Sequence, residues 1–364
     1  MTNNVKQLVN EGQSIWQDDI SRELIENGAL KAAIDETGIR GVTSNPAIFQ
    51  KALAGSDTYD AEIKALLAEG KDAAEVFQTV AVKDIQDTCD LFRPLYDATN
   101  GADGFVSLEV LPSLARDTEG TIANAHTLWT AVDRPNLMIK VPGTAEGVPA
   151  IKQLLTEGIN VNITLLFSLA NYEAVATTYI DALQARADAG EAIDHVASVA
   201  SFFVSRVDTA ADKQLDEIGS EAAAALKGKA AIANAVLAYE RFEELFGTEQ
   251  WQALAAKGAR VQRPLWASTG VKNPAYPDTL YVDTLIGPET VNTAPPSTIV
   301  AFLDHGTVAR TVDADYAGAH QVFADLAAIG IDIDAITAKL EEDGIASFMT
   351  SYDDLLASVE SKKA

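Results

Sequence analysis

Cysteine occurs once in this chain, at Cys89. A single thiol can close no intramolecular disulfide and build no cysteine-based metal cluster. Histidine is scarce too. His126, His195, His305 and His320 fall on expected helices, in loops or ahead of a strand, not at strand ends where ligands converge, so no metal site is expected. Basic residues are outnumbered, 27 Lys and Arg against 53 Asp and Glu, for a formal net charge of −26. That balance argues against nucleic acid and against anionic membrane surfaces, both of which reward basic patches. It is read as solubility, since most acids sit on helix-like segments. No window reaches the roughly 18 apolar residues that a membrane span requires. Residues 1–17 hold no apolar signal core, and a cytoplasmic location is expected. Also missing are the phosphate-cradling G-x-G-x-x-G and Walker A patterns and the zinc-binding H-E-x-x-H pair.

What is present is alternation. Across 364 residues, of which 48% are hydrophobic, short apolar runs alternate with Ala/Glu/Leu-rich amphipathic segments. Eight strands are expected, at 14–19, 41–44, 105–110, 137–141, 161–167, 198–204, 263–268 and 290–293. Helices are expected between them, among them 20–37, 74–99, 118–130, 146–157, 169–189 and 220–246. Such alternation implies parallel pairing through right-handed crossovers, and eight units imply a closed (β/α)8 barrel. Beyond Pro296 the strands stop and helices are expected at 311–329, 332–342 and 345–362. The chain therefore reads as a single barrel domain, with 297–364 as a helical extension covering one side of it.

Polar residues collect where such strands should end. The run Asn136-Leu-Met-Ile-Lys-Val-Pro-Gly-Thr144 is apolar except for Lys140. Burial on both faces of a parallel strand penalises the charged form of a lysine, and a neutral amine is a nucleophile. Around it stand Asp18-Asp19, Thr43-Ser44-Asn45, Glu109, Asn162 and Thr164, Ser201 leading to Arg206, and Ser268-Thr269-Gly270. Each has an ordinary explanation alone: a helix cap, a turn former, or an ion pair between Glu109 and Lys140. Together they bury more polarity in one barrel mouth than a fold keeps without a ligand. They also suit one chemistry. A lysine forms a protonated imine with a ketone, a carboxylate removes a hydroxyl proton and a second carboxyl assists the loss of water. Asn and Thr hold sugar hydroxyls, while Ser, Arg and Lys hold a phosphate.

These residues carry a resemblance. From Trp16 to Thr293 the chain resembles the transaldolases, class I Schiff-base aldolases, and most of all their long actinobacterial-type branch. The likeness rests on Trp16-Gln-Asp18, Gly41-Val-Thr-Ser-Asn-Pro46, Ser107-Leu-Glu-Val110, Met138-Ile-Lys-Val-Pro142, Asn160-Val-Asn-Ile-Thr-Leu-Leu-Phe167, Ala200-Ser-Phe-Phe-Val-Ser-Arg206 and Trp266-Ala-Ser-Thr-Gly-Val-Lys-Asn-Pro274. It implies that Lys140 forms the Schiff base, that Asp18 deprotonates the C4 hydroxyl, and that Glu109 and Thr164 assist imine formation and hydrolysis through a water. Thr43, Asn45, Asn162 and Ser201 would position the dihydroxyacetone unit, with Phe203 as a wall. Arg206 and Lys272, with Ser268, would grip the phosphate.

The implied reaction moves a three-carbon unit from sedoheptulose 7-phosphate to glyceraldehyde 3-phosphate, in the pentose phosphate pathway, without metal or organic cofactor. The expected partners are small sugar phosphates, and the chain is a monomer or homodimer. Two departures are visible: Ser44 stands where many members have threonine, and Lys272 where shorter members have arginine. Two other readings remain, a simple aldolase that releases free dihydroxyacetone and a barrel that binds sugar phosphates without catalysis.

Overall fold

A computed structural model describes residues 3–363. Its strands are β1 (Gln13–Gln17), β2 (Gly41–Val42), β3 (Phe105–Glu109), β4 (Leu137–Pro142), β5 (Val161–Leu166), β6 (Ser198–Phe203), β7 (Arg263–Ala267) and β8 (Thr290–Ala294). They pair in sequence order, all parallel, and β8 returns to β1 to close the barrel. All eight expected strands are found. Their near-continuous burial accounts for the apolar runs, because helices cover the outer face and side chains fill the inner one.

The shortest strand is explained by packing. A Cβ on Gly41 would lie 2.6 Å from the Trp16 ring and 2.8 Å from the Phe105 carbonyl oxygen, so only glycine lets β2 approach its neighbours. The expected strand at 41–44 stops at Val42. The next backbone amide still extends the ladder, since Thr43 N donates to Gln17 O at 3.0 Å.

Four expected helices differ. The segment 20–37 is split into Arg22–Glu26 and Ala29–Ala32, followed by a wider turn at Ala33–Thr37. Gly28 between them adopts φ +79°, a left-handed conformation that ends a helix. The segment 220–246 is split into Glu221–Leu226 and Ala230–Phe246 by Gly228 at φ +70°. Conversely, the two helices expected at 332–342 and 345–362 are one, Ile333–Ser361. Gly344 interrupts the pattern of side chains but not the helix. A Cβ there would sit 3.0 Å from Leu165 Cδ2, so this glycine serves a close approach instead of a break.

Within the extension, Tyr316–Ala328 packs on the barrel helix Ala230–Phe246, as a side cover would, and only the last helix is placed differently. The terminal helix Ile333–Ser361 packs on Pro46–Gly55, on Ala73–Ala98 and on Ser205–Ile218, helices that flank the C-terminal ends of the strands. It crosses the mouth of the barrel instead of covering a side. Its last turn is pinned by Lys362, whose Nζ donates to Leu53 O at 2.8 Å and pairs with Asp60. No helix among the described residues is long and apolar enough to cross a membrane.

Candidate active site

The register of the sheet builds the centre of the site. Glu109 on β3 pairs with Lys140 on β4, and Lys140 with Asn162 on β5, so three polar residues stand side by side at one level. Lys140 Nζ lies 3.1 Å from Glu109 Oε2, with both side chains 5% exposed. The contact has the distance of an ion pair, yet Oε2 is not aligned to accept a hydrogen bond. Nζ donates instead to the Ser44 carbonyl at 3.1 Å. Ser44 donates its own hydroxyl to Ser107 O at 2.7 Å.

Beneath the amine runs a chain of hydrogen bonds. Ser201 Oγ donates to Asn162 Oδ1 at 2.7 Å, and Asn162 Nδ2 donates to Ser107 Oγ at 2.9 Å. This fixes the orientation of Asn162 across the barrel interior.

Asp18 follows β1, with its backbone amide tied to Ala294 O at 2.9 Å. Its Oδ1 accepts from Thr43 Oγ1 at 2.7 Å, and Thr43 Oγ1 also lies 2.6 Å from Thr293 Oγ1. The residue is partly accessible because it faces the cavity, but protein surrounds its carboxyl on all other sides. That burial pushes the Asp18 pKa above the usual carboxylate range, against the opposing pull of Lys140 and the Thr43 hydrogen bond. Glu109 is raised for the same first reason, with Lys140 opposing and Asp18 adding to the rise. The mouth therefore holds two carboxyls in different settings: one beside the amine, one hydrogen-bonded to a hydroxyl.

Above the amine is a cavity of about 170 Å³. Ten of the expected residues line it: Asp18, Thr43, Asn45, Lys140, Thr164, Ser201, Phe203, Arg206, Ser268 and Lys272. Glu109 and Asn162 do not; they stand one layer behind, in contact with lining residues. Asn45 has two duties, since its Oδ1 caps the helix Pro46–Gly55 through Ile48 N at 3.0 Å while the residue faces the cavity. Thr164 Oγ1 is buried and has no protein hydrogen-bond partner, an unmet capacity that a bound hydroxyl or water satisfies. A bulge in β5 between Ile163 and Leu166, with Leu165 at φ +58°, sets the direction of this stretch.

The cationic end of the cavity lies on the loops after β6 and β7. Arg206 sits in the first turn of Ser205–Ile218, its guanidinium 5.3 Å from the centre of the Phe203 ring. Among the described residues, every other arginine donates to a carboxylate or a carbonyl, and Arg206 alone donates to neither. Burial lowers its pKa, with Asp18 opposing. A half-buried guanidinium at a helix N-terminus with no acid to satisfy it is suited to an anion. Lys272, exposed and without an ion-pair partner, lines the same cavity. Ser268, at φ +56°, is held by Ser205 through a 2.9 Å hydroxyl contact.

Of the lining residues not among the expected ones, two bear on the site. Thr293 supports Thr43, and Phe348 comes from the terminal helix. The four histidines lie elsewhere, each beside a surface acid: Glu157, Asp194, Asp278 and Glu240 for His126, His195, His305 and His320. Cys89 is fully buried in Ala73–Ala98, where burial pushes its thiol pKa up.

Fold and site together define the class: a (β/α)8-barrel enzyme with a buried lysine at the centre of its C-terminal mouth. The chain belongs to the transaldolase/fructose-6-phosphate aldolase family, which it matches over residues 15–359. It is 48% identical over 372 aligned residues to a transaldolase of Trichodesmium erythraeum, covering 100% of this chain and 98% of the relative. It is 51% identical to one of Acidothermus cellulolyticus, covering 99% and 96%. With that of Mycolicibacterium smegmatis it shares 48% identity over 97% of this chain and 95% of the relative.

Proposed function

We propose that this chain transfers a dihydroxyacetone unit between sugar phosphates, from sedoheptulose 7-phosphate to glyceraldehyde 3-phosphate, through a Schiff base on Lys140. The observation that carries the reading is the placement of Lys140 Nζ, buried, 3.1 Å from Glu109 and open to a cavity that Asp18 also lines.

In this reading Nζ adds to the C2 carbonyl of the ketose, and the carbinolamine loses water to give an iminium ion, with Glu109 and Thr164 handling the protons through a water. Asp18 takes the C4 hydroxyl proton, the C3–C4 bond breaks, and its electrons pass into the iminium to leave an enamine. The aldehyde departs and the acceptor aldehyde replaces it. The enamine carbon bonds to the acceptor's carbonyl carbon, whose oxygen recovers the proton from Asp18, and hydrolysis frees the product. The lysine is itself the electron sink, so the reading calls for no metal or organic cofactor.

Thr43, Asn45, Asn162 and Ser201 bind the three-carbon hydroxyls, directly or through the hydrogen-bond chain behind the cavity. Phe203 walls the cavity, and Arg206, Lys272 and Ser268 take the phosphate. The 297–364 helices act as part of one barrel domain. Small sugar phosphates are the partners, in the pentose phosphate pathway of the cytoplasm.

Borohydride reduction in the presence of fructose 6-phosphate, followed by peptide mapping, tests this directly. A reduced three-carbon or six-carbon adduct on Lys140, absent from Lys140→Arg, is the expected result. An unmodified Lys140, or an adduct retained by the arginine variant, overturns the Schiff-base assignment.

A further inference from the structure

An aromatic side chain stands over the reactive amine, and it comes from outside the eight strand–helix units. Lys140 Nζ lies 5.6 Å from the centre of the Phe348 ring, on the terminal helix that crosses the mouth. Phe348 is 5% exposed and lines the same cavity as Asp18 and Lys140. Glu109 and the Ser44 carbonyl, which also contact Nζ, are polar.

The ring is held on both sides. Gly344, one helical turn before it, comes close to Leu165 at the β5 bulge, where a Cβ would stand 3.0 Å from Leu165 Cδ2. Tyr352, one turn after, packs edge-on to Phe77 at 5.9 Å, and Phe77 packs edge-on to Phe49 at 5.4 Å. Residues at i, i+4 and i+8 share one helix face, so these anchors fix where the Phe348 ring points. An aromatic face toward a cation also favours the positively charged iminium.

Phe348 thereby stands where two fates of one intermediate diverge. Once the three-carbon fragment is an enamine on Nζ, its carbon can bond to an aldehyde carbonyl carbon while the aldehyde oxygen takes a proton. Alternatively the enamine carbon takes a proton, water adds to the resulting iminium carbon, and the C–N bond breaks to give free dihydroxyacetone and the amine. The second course needs water at the lysine before the acceptor arrives. Release of the longer product also uses water, but only after the carbon–carbon bond has formed, so it does not alter the ratio of the two courses.

We propose that Phe348 is a specificity-determining residue, whose ring keeps water from the fragment on Lys140 so that it is transferred to an aldehyde instead of being released. The inference rests on the Schiff-base reading given above.

The test measures the ratio of free dihydroxyacetone to transferred product, with fructose 6-phosphate as donor and erythrose 4-phosphate as acceptor. Phe348→Ala should raise that ratio about tenfold by admitting water, and Phe348→Leu, which refills the apolar volume without a ring, should return most of it. Should the alanine variant fail to fold, Phe348→Val takes its place. An unchanged ratio in the smaller variant overturns the inference, whatever the total rate. So does a leucine variant as leaky as alanine, because the effect then belongs to the ring face and not to exclusion of water. Borohydride adducts mapped in the same samples separate the two levels. An adduct on Lys140 in every variant with no change of ratio removes only the role of Phe348, whereas no adduct in the parent enzyme removes the Schiff-base reading itself.

Discussion

Glu109 Oε2 lies 3.1 Å from Lys140 Nζ across adjacent strands, and the two side chains are equally buried. Burial raises the Glu109 pKa, while the amine beside it pulls the other way. Glutamine at this position keeps the shape and a carbonyl oxygen for Nζ. Glu109→Gln should therefore fold and slow imine formation and hydrolysis. Glu109→Ala takes away the oxygen beside the buried amine as well, and should cost about 1–3 kcal/mol of stability, the penalty of a buried polar group left without its partner. Single-turnover adduct formation and urea midpoints read the two effects separately. Loss of folding in the glutamine variant would mean that the pair serves structure first.

The carboxyl of Asp18 gives activity a characteristic acid limb. Its ionised form is the one that accepts a proton, and burial raises its pKa. Activity should consequently fall, as pH drops, at a higher pH than an ordinary aspartate would dictate. Thr43 donates a hydrogen bond that favours the ionised form. Removing that donor with Thr43→Val should move the acid limb of kcat/KM further up in pH, whereas a downward or absent shift contradicts the role given to this hydroxyl. Asp18→Asn should abolish carbon–carbon cleavage yet still permit imine trapping.

Among the described residues Arg206 has no acceptor, so its donors are left for the substrate. Arg206→Ala should raise KM for a phosphorylated ketose by roughly 10–100-fold, the worth of a charge-assisted hydrogen bond of about 1.5–3 kcal/mol. It should leave turnover of an unphosphorylated ketose little changed. Lysine should restore only part of the affinity, because it offers a point charge instead of a fork. Lys272→Ala, at an exposed position, should have the smaller effect. Equal losses with phosphorylated and unphosphorylated ketoses would show that Arg206 is not a phosphate ligand.

Much of this arrangement was legible in the residues because each strand interrupts an apolar run with a polar residue at its C-terminal end, a pattern that burial makes conspicuous. Lys140, Glu109 and Asn162 show it best, and the sheet register brings them to one level. Phe348 was not legible. An aromatic on an amphipathic helix ordinarily marks a core contact, and nothing local says that its helix crosses a barrel mouth formed by segments far earlier in the chain. Glycines misled in both directions. Gly28 and Gly228 end helices through positive φ, while Gly344 stays helical because the need there is for closeness to Leu165. Only tertiary packing distinguishes those uses.

Asp208 makes a separate prediction about stability. It lies in Ser205–Ile218, the helix that begins at the Arg206 turn, and accepts from Tyr281 Oη at 2.7 Å and from Ala231 N at 2.8 Å. Burial pushes its pKa up to about 6 from 3.8, despite both hydrogen bonds. A group whose pKa is raised on folding binds its proton more tightly in the native state. Its favourable contribution is therefore complete below about pH 4 and is lost as pH rises through about 6, leaving a charged carboxylate buried at neutral pH. The loss amounts to roughly 3 kcal/mol at 1.36 kcal/mol per pKa unit. Asp208→Asn keeps an acceptor for Ala231 N and a donor for the Tyr281 hydroxyl, yet has no charge to bury. Urea denaturation at pH 4 and pH 7.5 checks this. Relative to the parent, the asparagine variant should gain stability between the two pH values, by up to about 3 kcal/mol. A stability difference that stays constant across that interval would show that Asp208 titrates alike in the folded and unfolded chain.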